Sequence, residues 1–167
     1  LAKAECPWRS REEADYEACM WKIAKAMEAN LIKWKKMQKV RQMGTTMTAL
    51  KFGRNYIFGM SLGDSRIYRL REGKLAQLST DHTYRHPGHI RSALVGYIGT
   101  EYEDDFKKMD FYKLEYQKGD KYLLCTDGVT DMVKDEVLEE ILQMPVAEAR
   151  GKMVDEVNRM GAEDNAT

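Results

Sequence analysis

The hydrophobic repeat of this chain changes once, near residue 44, and that change limits the folds open to it. Residues 11–38 carry apolar side chains at spacings of three and four, which predicts a helix with one face packed on a sheet: Met20, Ala24, Met27, Leu31 and Trp34. After Met43-Gly44 the period becomes strand-like. A helix followed by sheet is therefore expected.

Turn sequences divide the rest of the chain into strands and helices. Gly53-Arg54-Asn55 and Glu72-Gly73 are hairpin turn signals, whereas residues 81–105 are irregular. The expected strands are 45–52, 55–62, 66–71, 74–79, 109–116 and 120–126, and the later helices are 134–143 and 146–160. Helices before and after a block of hairpins favour helices layered on antiparallel sheet over repeated βαβ units.

Composition excludes several classes of protein. Lys+Arg and Asp+Glu number 27 each in 167 residues, so net charge gives no argument for binding nucleic acid or a membrane surface. No apolar run approaches the ~18–20 residues of a membrane span. Three cysteines, with Cys125 expected as a buried thiol, favour a reducing, cytoplasmic compartment. The chain runs from Leu1 to Thr167 without a closing element, so we expect one domain, 1–167, incomplete at both ends.

Three acidic residues stand where apolar elements end. They are Asp64 in GDSR, Asp127 in TDG and Asp164 in EDN. If these carboxylates converge on one edge of the fold, they can bind a hard divalent cation such as Mg²⁺ or Mn²⁺. Taken singly, each is more typical of a turn or cap residue. Asp131 is expected to be a helix N-cap or a first-turn acid.

Other metal sites fit the sequence less well. The acids at 127 and 131 lack the Asp-x-Asp spacing of haloacid-dehalogenase-type phosphatases, and the alternating acids of an EF-hand are absent. His82, His86 and His89 have a spacing suited to zinc on a helix, but Pro87-Gly88 breaks any helix there. We therefore expect exposed loop histidines in a mobile flap over 82–89.

Taken together and in order, five segments resemble the metal-dependent Ser/Thr protein phosphatases of the protein phosphatase 2C type, in particular the bacterial branch. The matching segments are MGTT from residue 43, GDSRIYRLREGKLAQLSTDHT from 63, IRSALVGYIG from 90, GDKYLLCTDGVTDMV from 119 and AEDNAT from 162. The resemblance covers about residues 14–167. It implies an α+β fold in which two stacked antiparallel sheets are flanked by helices, a four-layer α-β-β-α sandwich.

The resemblance also implies a site and a reaction. Residues like Asp127 and Asp164 hold two Mn²⁺ or Mg²⁺ ions in this family, and Asp64 matches a position that helps to bind a third in bacterial members. A metal-bridging water then attacks the phosphorus of phosphoserine or phosphothreonine. No catalytic residue beyond the metal ligands is implied. Ser65, Arg66, Thr45 and Thr46 are interpreted as structural.

Partners and location complete the prediction. The resemblance implies a bacterial signalling hydrolase acting on phosphoprotein substrates of a cytosolic Ser/Thr kinase. From the cysteine count and the balanced charge we expect it in the cytoplasm, bound to neither nucleic acid nor membrane, and we expect a monomer. The family's early Arg and Glu-Asp motif and its Asp-Gly-Met-Gly-Gly motif are absent from this sequence, and the segment between Asp81 and Ile90 is short. The alternative hypothesis is therefore a catalytically inactive phosphatase-like domain with a partner-binding or regulatory role.

Overall fold

The computed structural model describes residues 13–41, 43–87, 92–100 and 107–167, which form helices and short antiparallel strands. In this part of the chain one helix is followed by eight strands and then by three helices, which is the order of helix, strands and helices that the sequence predicts. In chain order the described elements are α1 (Glu13–Gln38), β1 (Met47–Phe52), β2 (Tyr56–Leu62), β3 (Arg66–Arg71), β4 (Lys74–Gln77), β5 (Thr83–Tyr84), β6 (Ala93–Leu94), β7 (Asp110–Glu115), β8 (Lys121–Cys125), α2 (Asp127–Thr130), α3 (Asp135–Gln143) and α4 (Val146–Arg159).

The chain divides into two compact units. The first comprises Leu1–Gly63 and His82–Glu115, and the second comprises Asp64–Asp81 and Tyr116–Thr167. Each unit has its own three-stranded antiparallel sheet, in the order β1-β2-β7 in the first and β4-β3-β8 in the second. The prediction of antiparallel sheets with helices is thus confirmed, whereas the four-layer arrangement stays a prediction.

Helix α1 packs against strand β2 in the first unit. Met20 and Ala24 are buried with Phe58 and Met60 of β2, and Leu31 packs against the same cluster. Two other positions of the predicted stripe are different, because Met27 and Trp34 are 39% and 45% exposed. The expectation that the whole stripe packs on a sheet is therefore wrong at these two positions and right at the other three.

The second unit buries one face of its sheet under α3 and α4. Tyr68 and Leu70 of β3 and Cys125 of β8 meet buried apolar residues of the two helices: Leu138, Ile141, Leu142, Ala149, Met153 and Val157. These helical positions recur at spacings of three and four, which is why both helices present a continuous apolar face. Burying that face is the main contribution to stability that this unit can draw on.

Three local expectations need correction. Asp131 is not an N-cap, since it caps the C-terminal end of the short helix α2, and the N-cap of α3 is Lys134. Residues 81–105 are not wholly irregular, because β5 and β6 pair as a short antiparallel ladder. Cys19 is disulfide-bonded, which removes the argument from the cysteine count to a reducing compartment.

The expectation of a buried thiol at Cys125 is confirmed. Cys125 is a buried free thiol, 4% exposed. None of the helices in the described part of the chain combines the length and apolar character that crossing a membrane requires.

Candidate metal centre

Two of the predicted ligands lie near each other at one edge of the second sheet. Strands β3 and β8 are antiparallel neighbours in which Arg66 pairs with Cys125. Asp64 lies just before β3 and Asp127 just after β8, so both residues are at the same end of this strand pair, and the charge of Asp127 acts on the Asp64 carboxyl. Antiparallel pairing therefore brings together two carboxylates that are far apart in sequence.

Three other carboxylates act on the Asp64 carboxyl. Burial raises the pKa of the Asp64 carboxyl above its ordinary value, and the carboxylates of Asp127, Asp81 and Asp131 raise it further. A hydrogen bond with the Asp64 backbone opposes the increase. Like charges near a half-buried carboxylate favour the neutral acid unless a cation is present. This edge of the sheet is therefore an electrostatically favourable place for a bound cation.

The third predicted ligand, Asp164, lies in a segment that contacts the same edge. The Thr126 hydroxyl donates to the carbonyl oxygen of Asn165 at 3.2 Å, next to Asp164 in sequence. Asp164 Oδ1 in turn accepts a hydrogen bond from the Asn165 amide at 2.7 Å. Gly128, directly after Asp127, lies against the Asn165 backbone. The segment carrying Asp164 thus contacts the turn carrying Asp127.

The predicted ligands have the right chemistry for a hard divalent cation, but too few of them lie close together to surround one. Carboxylate oxygens are the ligands that Mg²⁺ and Mn²⁺ prefer. Within the described ranges, however, no three side chains of His, Cys, Asp or Glu are grouped closely enough to hold a metal ion. Asp64, Asp127 and Asp164 therefore stay predicted ligands, and water or phosphate oxygens would have to fill much of the coordination sphere.

An ion pair that the sequence did not single out supports the start of β3. Arg66 donates to both carboxylate oxygens of Asp81, with Nη2 2.7 Å from Oδ2, and its Nη1 donates to the Tyr68 hydroxyl. The Tyr68 hydroxyl donates to Asp135 at the beginning of α3. Arg66 is thus engaged in structural contacts, in agreement with its interpretation from sequence, and Asp81 adds negative charge near Asp64.

Cys125 does not have the properties of a nucleophile. Burial raises the pKa of its thiol to about 11, even though the charge of Arg66 acts in the opposite direction. The thiolate, which is the reactive form of cysteine, is therefore scarce near neutral pH. This agrees with the expectation of an inert buried thiol next to the candidate site.

Of the two histidines that the structure describes in this segment, His86 is exposed in a loop as predicted, whereas His82 is not. His82, in the first unit, is only 9% exposed. Its Nδ1 accepts a hydrogen bond from the Gly63 amide, and its Nε2 lies 3.3 Å from Asp110 Oδ2. Both ring nitrogens are therefore engaged within the protein, and His82 is a structural residue. His86 stacks edge-on with Tyr84, whereas His89 lies outside the described residues.

Comparison with known proteins identifies the family. The family model for protein phosphatase 2C matches residues 5–159. The chain belongs to the protein phosphatase 2C family. The resemblance seen in the sequence is thereby confirmed, and the GDSR and TDG turns at the metal-centre edge are parts of the region that this family model covers.

Relatives of this protein phosphatase 2C member are bacterial. The chain is 37% identical over 144 residues to the serine/threonine protein phosphatase PstP of Mycobacterium tuberculosis, covering 75% of this chain and 26% of PstP. It is 31% identical over 141 residues to the serine/threonine phosphatase Stp of Listeria monocytogenes, covering 75% of this chain and 55% of Stp. The chain thus spans about a quarter to a half of these relatives.

A solved structure shares the fold. The catalytic domain of PstP in complex with two manganese ions superimposes with a TM-score of 0.74 at 31% sequence identity. The similarity covers 92% of this chain and 67% of that one. The α+β fold with antiparallel sheets and helices is therefore the fold of this protein phosphatase 2C member.

Proposed function

We propose that this chain functions as a metal-dependent Ser/Thr protein phosphatase that hydrolyses phosphoserine and phosphothreonine. The observation that carries the proposal is the apposition of Asp64 and Asp127 at one sheet edge in a chain of the protein phosphatase 2C family. Relatives that carry the name serine/threonine phosphatase, and the manganese complex of PstP, support it. These names give no support to the catalytically inactive alternative.

The cofactor in this proposal is Mn²⁺ or Mg²⁺, as two or three ions. Asp127 and Asp164 would hold two of them and Asp64 a third. Bound there, the cation would supply a Lewis acid and bring the pKa of a coordinated water toward neutrality. The excess negative charge around Asp64 supports this assignment, because a divalent cation would compensate it.

The residues of the chain itself have simple roles in this scheme. The carboxylates orient and neutralise the cation, and the buried, protonated Cys125 takes no part in the chemistry. A phosphoprotein of a cytosolic Ser/Thr kinase is the proposed substrate. The cytoplasmic location, the monomeric state and the single-domain organisation over residues 1–167 stay predictions from the sequence.

Hydrolysis of a phosphothreonine peptide with added Mn²⁺ tests the proposal. Activity should appear with Mn²⁺ or Mg²⁺ and disappear on chelation. Asp127→Asn keeps the shape of the side chain but removes its charge, so it should lower kcat/KM by at least ~10–100-fold, the range seen for changes near metal ligands. Asp155→Asn, on the exposed face of α4, is the matched control and should retain activity.

Two outcomes would contradict the proposal. Loss of activity in Cys125→Ser with full activity in Asp127→Asn would point to a cysteine phosphatase. Absence of turnover with every divalent cation tried, in a protein that includes the segments found in its longer relatives, would favour the inactive, partner-binding alternative.

A further inference from the structure

Three hydrogen bonds join Thr126 to the exposed segment 164–167 at the sheet edge. The Thr126 amide donates to the carbonyl oxygen of Thr167 at 3.2 Å. The Thr126 hydroxyl accepts from the Thr167 amide at 3.1 Å and donates to the Asn165 carbonyl at 3.2 Å. Residues 161–167 are all exposed, so hydrophobic burial contributes little to holding them.

We infer that Thr126 is a positioning residue for the metal centre, a role that rests on the function proposed above. Its backbone is held by strand β8, since Cys125 before it is paired with Arg66. Its hydroxyl acts as donor and acceptor at once, which serine can reproduce and valine cannot. Thr126 therefore joins the segment that carries Asp164 to the turn that begins with Asp127.

The position of the Asp164 carboxylate follows from this contact. Asp164 Oδ1 accepts from the Asn165 amide, so the orientation of the carboxylate depends on the Asn165 backbone. That backbone is held by the Thr126 hydroxyl on one side and lies against Gly128 on the other. Thr126 has no contact with substrate or cation in this role, because it acts through Asn165 and Asp164.

Removing the Thr126 hydroxyl should loosen the segment 164–167. Thr126→Val has nearly the same shape and loses two of the three hydrogen bonds, while the bond from the backbone amide remains. The segment should then open more often without unfolding the sheet. A ligand that is less well positioned should bind the cation more weakly, by roughly the 10–100-fold typical of residues that orient metal ligands.

Two measurements on Thr126→Val, Thr126→Ser and a control variant test this role. The control is Thr130→Val in α2, because no hydrogen bond of the Thr130 side chain occurs within the described residues. Hydrogen exchange of the Thr167 amide in metal-free protein reports the contact itself. Titration calorimetry with Mn²⁺ reports its effect on the site, and thermal unfolding shows whether each variant is folded.

The expected result is specific to valine at position 126. Exchange of the Thr167 amide should be about tenfold or more faster in Thr126→Val, and Mn²⁺ should bind roughly 10–100-fold more weakly, with little change in Tm. Thr126→Ser and Thr130→Val should resemble the wild type in both measurements. Thr126→Ser keeps the hydroxyl and removes the methyl group. Wild-type behaviour of this variant would therefore show that the hydroxyl, and not packing of the methyl group, holds the segment.

Three other outcomes would contradict the role of Thr126 or the function on which it rests. Unchanged exchange in Thr126→Val would show that the hydroxyl does not hold the segment. Faster exchange with unchanged Mn²⁺ affinity would show that the segment does not position a ligand. Wild-type protein that protects the Thr167 amide but binds no Mn²⁺ would instead overturn the proposed metal-dependent function, and with it the role of Thr126 in metal binding.

Discussion

Gly128 lies so close to the backbone of Asn165 that no residue with a Cβ would fit at position 128 without a shift. A Cβ added at Gly128 would lie 2.5 Å from the Asn165 carbonyl oxygen and 2.8 Å from its carbonyl carbon. Real Cβ atoms do not approach backbone atoms so closely. The glycine after Asp127 is therefore what lets the segment carrying Asp164 reach the candidate metal centre.

Gly128→Ala should displace that segment and weaken the site. Overpacking costs roughly 1–3 kcal/mol in a well-packed region, and because the segment is exposed it can shift to relieve part of this cost. We expect Mn²⁺ affinity to fall by at least about tenfold in titration calorimetry. Gly151→Ala in helix α4 is the control. Nothing lies within 4 Å of an added Cβ there, so this change should raise stability by ~0.5–1 kcal/mol. Equal Mn²⁺ affinity in Gly128→Ala and wild type would contradict the expected displacement.

Cys125→Ser should lower stability without removing activity. The side chain is 4% exposed in the core of the second unit, so a serine hydroxyl there would be buried in apolar surroundings. Burying a hydroxyl without a partner costs roughly 1–3 kcal/mol in proteins. Urea unfolding measures the first effect, and turnover of a phosphothreonine peptide below the unfolding temperature measures the second. Turnover that falls far more than the folded fraction would contradict the view that the thiol is inert.

Asp120→Asn should make the free energy of unfolding less dependent on pH in the acid range. The hydrogen bond from Arg71 lowers the pKa of Asp120 most, burial opposes it, and the Gln117 amide and the Tyr122 hydroxyl lower it further. Because this pKa is depressed in the folded protein, the stabilisation is present above the unfolded value of about 3.9 and is lost as pH falls toward the folded value.

Thermal unfolding from pH 7 to pH 2 checks this prediction. The difference in Tm between wild type and Asp120→Asn should be constant from about pH 7 to pH 5 and should shrink below about pH 4. Asp155→Asn, on an exposed position of α4, should follow the wild-type curve. A Tm difference that stays constant down to pH 2 would mean that the Arg71–Asp120 pair does not shift the pKa as inferred.

Leu138→Ala should be among the most destabilising changes in the second unit. Leu138 is fully buried, at 0% exposure, between α3 and the sheet core. Removing a buried leucine side chain costs about 2–5 kcal/mol through lost transfer energy and the cavity that remains. Val154→Ala, at a position 57% exposed, should change the free energy of unfolding by less than about 0.5 kcal/mol. Similar effects for the two variants in urea unfolding would show that α3 does not pack as described.

Much of the local structure was predictable because it depends on neighbouring residues. The hairpin turn at Glu72-Gly73 is an example, since both residues have positive φ, of 51° and 75°, and the glycine adopts this conformation without strain. The predicted helices over 134–143 and 146–160 likewise agree with α3 and α4 to within one residue at each end. The burial of His82 was missed, because its partners Gly63 and Asp110 are distant in sequence and no pattern of spacing predicts them.

The sequence by itself determined the long helices, the six longer strands, the family and the three carboxylates at element ends. Only the tertiary structure decided which strands pair, since β7 and β8 are consecutive yet join different sheets, beside β2 and β3 respectively. The apposition of Asp64 and Asp127 depends on that choice, through the register of Arg66 with Cys125. The physical reason is that strand pairing is selected by burial and hydrogen bonding between segments far apart in the chain, which local preferences do not encode.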